Sequence, residues 1–258
     1  MKIDLHVHCR EASRCAEHQP KEIPAFYAEN NVDALVITNH YHPGHLGFFG
    51  EDPKVQAEKY IEQYYEMKEA GDKVGVTVIF GAEVMLTSTR QQAEFLLYGF
   101  TPEKMRQSFP LHTMTQKELF EYCNSNEILT YQSHPTRKNH RFADPRYMHG
   151  IEILNGPVLL KAYYEYAIAN NLKYCAGSDF HAKEQVSHAG IHFVAAGSAG
   201  IVTDRDIKDS VDLYNYLKDN SPGIFTTDGI LDLDNLPPDN PPLTVEYIPD
   251  EIYYNDAK

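Results

Sequence analysis

Ile3, Leu5 and Val7 alternate with Lys2, Asp4, His6 and His8 at the start of the chain, and this period of two predicts a buried strand. The run 33–38 is nearly all apolar, as in a strand covered on both faces. Further strands are predicted over 76–80, 95–100, 128–132, 150–154 and 172–176, with a short one at 192–195. Between them, apolar positions recur at helical spacing over 21–31, 53–71, 115–126, 158–171 and 204–220. Pro53 stands near one helix start and Gly71 is read as its stop. Thr115 followed by Glu118 fits a capping box, and Thr203 or Asp204 is read as the cap of the last helix. Residues 234–258 carry Pro237, Pro238, Pro241, Pro242 and Pro249 and predict an extended tail beside a domain spanning 1–233.

Strands alternating with helices predict parallel strands joined by right-handed crossovers. Polar residues gather at the C-terminal ends of most of the predicted strands: His6 and His8, Asn39-His40, Glu83, Ser133-His134, Asn155, and Asp179 with His181. An open doubly wound sheet gathers its chemistry at one switch point, whereas a barrel gathers it around a whole rim. The expected class is therefore α/β, with a TIM-like barrel.

Composition narrows the function. The formal net charge of −14 repels phosphate backbones and disfavours stable nucleic-acid binding. It still permits a small phosphorylated substrate, because metal ions can reverse the local field. No apolar stretch is long enough for a transmembrane helix and no signal-peptide pattern opens the chain, so a cytoplasmic location is expected. Cys9, Cys15, Cys123 and Cys175 lack metal-knuckle spacing and read as free thiols, although Cys9 and Cys15 follow the paired histidines closely.

The side chains of His6 and His8 project from one side of a strand end, which is half of a metal site; the plainer reading is two polar residues in a turn. Partners elsewhere favour the metal. His6, His8, His40, Glu83, His112, His134, Asp179 and His181 are the candidate ligands, too many for one ion and enough for two or three. Imidazole and carboxylate donors suit zinc, manganese or iron. A water held between two such ions becomes a hydroxide nucleophile near neutral pH.

Asp4-Leu-His-Val-His8, Ile37-Thr-Asn-His40, Gly81-Ala-Glu83, Ser133-His-Pro135, Gly150-Ile-Glu-Ile-Leu-Asn155 and Gly177-Ser-Asp-Phe-His181, in that order, resemble the polymerase-and-histidinol-phosphatase (PHP) family of metal-dependent phosphoesterases. The resemblance implies a distorted seven-stranded (β/α) barrel, up to three metals in its mouth and hydrolysis of phosphate esters. It implies His6, His8, Glu83 and Asp179 around a first ion, and Glu83, His112 and His134 around a second. His40 and His181 would then help hold a third. Two positions depart from the family pattern: Arg14 stands where an aspartate or histidine ligand is usual, and Asn39 where aspartate is common. Cys15, Glu11 or His18 could replace the missing ligand.

Basic residues should meet the phosphate. Arg137, which follows His134-Pro135, is the first choice, joined by Lys138, Arg141 and Arg14. Asp179, His181 and His42 are the candidate catalytic residues, with His42 or His45 able to protonate a leaving oxygen. The expectation is a phosphomonoesterase acting on a small metabolite. A non-catalytic metal-binding domain is the alternative; an amidohydrolase-type C–N hydrolase is another, but its usual central lysine is missing from strand ends three to five.

Overall fold

The computed structural model describes residues 1–88, 93–108, 110–135, 141–183, 187–188, 191–192 and 195–239. Arg137, Lys138 and the prolines at 241, 242 and 249 lie outside them. The fold is mixed α/β, and it is organised on β1 (Lys2–Val7), whose two faces are both buried. Ile3, Leu5 and Val7 pack into apolar cores on one face, while Asp4, His6 and His8 are equally hidden on the other. Burial of each such aliphatic side chain contributes about 1.5–3 kcal/mol.

β2 (Ala34–Ile37) pairs parallel with β1 and with β4 (Thr77–Phe80); β3 (His40–Tyr41) pairs parallel with β5 (Ala82–Met85). β6 (Glu94–Tyr98) then runs antiparallel to both β5 and β7 (Leu129–Gln132). β8 (Gly150–Asn155) is parallel to β7, with β9 (Val158–Leu159) folded back on it, and β10 (Lys173–Gly177) is parallel to β8. β11 (Ser187–His188) and β12 (Ile191–His192) form a separate pair. β13 (Ala199–Val202), β14 (Gly223–Thr226) and β15 (Gly229–Ile230) extend the β1 sheet by antiparallel pairing.

The ladders make two sheets, ordered β15-β14-β13-β1-β2-β4 and β10-β8-β7-β6-β5-β3, and not one closed ring. Val7 and Phe180 form an isolated parallel bridge between β1 and the segment after β10. The all-parallel expectation fails at β6. Only positions 86 to 93 separate it from β5, too few for a helical crossover, so the chain returns as a hairpin.

The helices are α1 (Ile23–Glu29), α2 (Pro43–Leu46), α3 (Pro53–Val74), α4 (Pro102–Ser108), α5 (Gln116–Ser125), α6 (Lys161–Ala169) and α7 (Ser210–Asp219). α3 runs past Gly71 and ends at Gly75, which takes the left-handed conformation at φ 77°. Gly71 is an internal contact: a Cβ there would lie 2.4 Å from the Val76 carbonyl oxygen. The Thr115–Glu118 capping box forms as expected. The last helix begins later than expected because Asp209, not Thr203 or Asp204, accepts from the amides of Val211 and Asp212. Asp239 accepts from Lys161 and Ala162 amides and so caps α6 from far along the sequence, joining the first tail residues to the domain. No described helix is long and apolar enough to cross a membrane.

Candidate metal centre

β1 and β10 meet closely at the site. A Cβ on Gly177 would stand 2.3 Å from His6 Cβ and 2.7 Å from its amide nitrogen, so only glycine lets the two backbones approach. Asp4 secures the junction, accepting from the amides of His6 and Ser178 and from the hydroxyls of Ser178 and Tyr27. Burial raises the Asp4 pKa to about 6 against the pull of these donors.

The ends of β1, β5, β7 and β10 deliver His6, His8, Glu83, His134 and Asp179 to one buried point. His6 Nε2 is 3.3 Å from Glu83 Oε1 and 3.4 Å from Asp179 Oδ1; His8 Nε2 is 3.1 Å from Asp179 Oδ1 and 3.6 Å from Glu83 Oε2. Glu83 also meets His134 Nε2 at 3.0 Å and His40 Nδ1 at 2.7 Å. One carboxylate therefore faces four imidazoles. His134 and Asp179 hold left-handed backbone, φ 27° and 54°, a conformation that costs non-glycine residues on the order of 1–3 kcal/mol and clusters at functional sites.

The chemistry on the far side of each ring fixes its tautomer. His6 Nδ1 lies 2.9 Å from Glu152 Oε1, and a carboxylate can only accept, so Nδ1 carries a hydrogen and Nε2 is the nitrogen offered to a metal, which would displace any proton there. His181 Nδ1 donates to the Asp179 carbonyl at 2.8 Å with the same result. His8 Nδ1 meets Ser13 Oγ at 3.0 Å. That hydroxyl receives the His40 amide and donates to Asn39 Oδ1, so it accepts from His8. Asn39, where the family pattern favours aspartate, suits this network because its Nδ2 donates to Cys9 Sγ and Gln63 Oε1. Glu152 binds the His134 amide as well, and Asn155 donates to it. These outer partners orient ligands as they do in metalloproteins generally.

His6 Nε2 is buried without a hydrogen-bond partner, and the equally buried His8 Nε2, His40 Nδ1 and Glu83 Oε2 meet one another and Asp179 at 2.7–3.6 Å. An orphaned polar atom at this depth is costly unless something occupies the point it shares with them. The charges agree. Burial disfavours a charged His6, yet Glu152, Asp179 and Glu83 outweigh it and draw its pKa well above the usual value. Burial likewise opposes ionisation of Glu83, but His6, His134 and His40 hold it well below the carboxylate range. His8 is pushed well down by burial and by His40 and His181. The pocket calls for a cation, and its donor set fits divalent metals. Five overlapping groups have ligand atoms within 4.8 Å of one another: His6/His8/Asp179, His6/Glu83/His134, His8/His40/His181, His40/Glu83/Glu94 and Cys15/His40/His45.

Among the sequence candidates, His112 stands outside these groups, half-buried in a 3-10 turn with its ring 5.9 Å from Tyr41. Glu94, not anticipated, enters with Oε2 at 3.5 Å from His134 Nε2. Glu152, quoted in a motif but given no role, proves the main brace of His6. Its signal was an ionisable residue inside an otherwise apolar strand.

The rim is different in kind. His42 caps α2 through its own ring, accepting the Gly44 amide, and its ring lies 6.1 Å from His40. Burial lowers its pKa to about 4 and that of His45 to about 3. The exposed Arg14 guanidinium lies over the Phe48 ring at 3.7 Å, outside the ligand cluster. With Arg10, Glu11 and Phe49 it lines a cavity of about 360 Å³. Arg141 is exposed, its carbonyl accepting from Gln132. Burial opposes ionisation of Cys15, but hydrogen bonds with His181 and His40 bring its pKa down to about 6.

The PHP domain model matches residues 4–178. No curated protein matches the chain. Among solved structures, one neighbour is a two-domain protein of Bacteroides vulgatus containing a predicted PHP-like metal-dependent phosphoesterase (16% identity, TM-score 0.63); the alignment covers 89% of this chain and 66% of that one. Another is PsfC of Pseudomonas syringae (14% identity, TM-score 0.56, covering 88% and 91%). At these identities the likeness concerns the fold.

Proposed function

The chain belongs to the PHP domain family, and from that premise we propose that it is a metal-dependent phosphomonoesterase acting on a small phosphorylated metabolite. The observation that carries this reading is the convergence of the buried His6 Nε2, His8 Nε2, His40 Nδ1 and Glu83 Oε2 with Asp179 on one point, with contacts of 2.7–3.6 Å among them. His6, His8, Glu83 and Asp179 would hold one divalent ion. Glu83 and His134, with Glu94 beside them and His112 on the adjoining turn, would hold a second. His40 and His181 would serve a third. Zinc, manganese or iron fits these donors. Bound ions supply Lewis acidity, activating water and neutralising charge on phosphoryl oxygens.

The protein's own groups do the rest. Glu152, Ser13 and the Asp179 carbonyl take the outer-nitrogen hydrogens of His6, His8 and His181 and so aim the inward nitrogens at the ion positions. Arg14 and Arg10, on the rim cavity, offer cations to substrate oxygens, joined by Arg141 and Arg137 from the segment after His134. His42, kept neutral, offers a hydrogen bond to the leaving oxygen. We also read the two sheets as arcs of a distorted seven-stranded barrel. Continuity of β2 into β3, of β4 into β5 across Gly81, and the Val7–Phe180 bridge support it.

The test is phosphate release from a panel of phosphomonoesters after reconstitution with Mn²⁺, Zn²⁺ or Fe²⁺. Release with at least one ester is expected. Ions bound but no release from any ester would favour a non-catalytic metal-binding domain.

A further inference from the structure

Position 14 does not supply the ligand that the family pattern leads one to expect: the Arg14 side chain is turned onto Phe48. The next residue faces the other way. Cys15 Sγ lies with ring nitrogens of His40 and His45 inside one 4.8 Å group, and it hydrogen-bonds to both His40 and His181. The neighbouring group His8/His40/His181 shares this corner, with ring centroids 4.4 Å apart for His8–His40 and for His8–His181. His8 is fully buried there, its Nε2 3.1 Å from Asp179 Oδ1.

The two flanking histidines differ. His181 gives its Nδ1 hydrogen to the Asp179 carbonyl, so its Nε2 is the nitrogen that presents a lone pair towards Cys15. His45 Nδ1 accepts the Arg14 amide at 3.2 Å, so its other nitrogen carries the hydrogen and is a poor ligand. His45 thus braces the Arg14–Cys15 segment in place. Cys15 is also the one exposed cysteine of the four, reachable by an ion from solvent.

We propose that Cys15 supplies a thiolate ligand to a third metal position, together with His40 and His181, so that this corner prefers Zn²⁺ over Mn²⁺. Binding releases the thiol proton to solvent as the sulfur–metal bond forms. Thiolate is a soft donor and selects zinc, whereas the oxygen-rich corner around Glu83, Glu94 and Asp179 takes harder ions as well. The inference rests on the reading of this cluster as a metal centre, but not on any catalytic activity.

The test replaces zinc by Co²⁺, whose thiolate complexes absorb in the near ultraviolet by charge transfer, and counts ions per chain. The wild type should show the band. Cys15→Ala should lose it and one ion per chain, keep the others, and retain its circular dichroism. Cys15→Asp should regain the ion without the band and accept Mn²⁺ there. A wild type that binds ions without the band, or a Cys15→Ala variant that keeps its full count, overturns the thiolate site while leaving the rest of the metal centre standing. Failure to bind any ion overturns both readings together.

Discussion

The floor and the rim of the site use the same side chain in opposite ways. On the floor, His6 and His8 are fully buried, each held from behind by an oxygen and facing carboxylates in front. On the rim, His42 and His45 are only partly buried and spend one nitrogen on a backbone amide, that of Gly44 for His42 and that of Arg14 for His45. Floor histidines are arranged as ligands; rim histidines are arranged as structure. What decides the role of an imidazole here is the partner on its second nitrogen: an acceptor behind the ring frees a lone pair in front, and a donor behind it does the reverse.

The strongest way to break this contrast is to remove the group the floor shares. Glu83→Gln should lower phosphate release by more than about a hundredfold, beyond the usual cost of an outer-shell change, and should reduce bound metal as measured by elemental analysis. Retention of both would mean that Glu83 is not the bridge. Glu152→Gln tests the brace behind His6. The amide can present N–H to His6 Nδ1 and spoil its tautomer, so metal affinity should fall about 10- to 100-fold in competition with a chelating dye. An unchanged affinity would show that His6 needs no brace.

Acid sensitivity must be separated from the floor, and His149 allows this. Burial lowers its pKa to about 4, and its Nδ1 accepts the amide of Thr130, near the opposite end of β7 from His134. Unfolded histidine titrates near 6.5. Between those values the unfolded chain binds the extra proton, so stability falls as pH drops from about 6.5 towards 4. Discounted for partial exposure, the loss is about 1–2 kcal/mol. His149→Gln should flatten that part of a denaturation series in metal-free buffer; an unaltered slope would place the acid loss elsewhere. The smallest effect is expected on the rim. A neutral His42 is a weak acid at pH 7, so His42→Gln should cost less than about tenfold in kcat. A larger loss would move His42 from rim structure into the chemistry.

The apolar runs of β1, β2, β7, β8 and β10 were legible because each is covered on both sides, and the polar residues that end them were conspicuous for that reason. Glu94 was not, because β6 runs antiparallel. Reversal brings its first residue, not its last, to the rim where the parallel strands end. A rule that inspects only C-terminal strand ends passes over it. β13 to β15 were missed as short segments tied to the sheet only through the pairing of β13 with β1, some two hundred residues away. The direction of Arg14 was equally hidden: its attraction to Phe48 depends on a loop conformation that no local pattern encodes.

Gly177 carries a consequence for the life of the chain before it is finished. His6 is made well before the wall that completes its pocket, which arrives only with β10, whose glycine admits the strand against it. A nascent polypeptide emerges N-terminal part first and folds as its contacts become available. Until then the His6–His8 pair would be an incomplete chelator awaiting Asp179 and His181. Loading of the centre would wait for β10, and a product stopped before residue 177 would lack Asp179, His181 and the wall that closes the site.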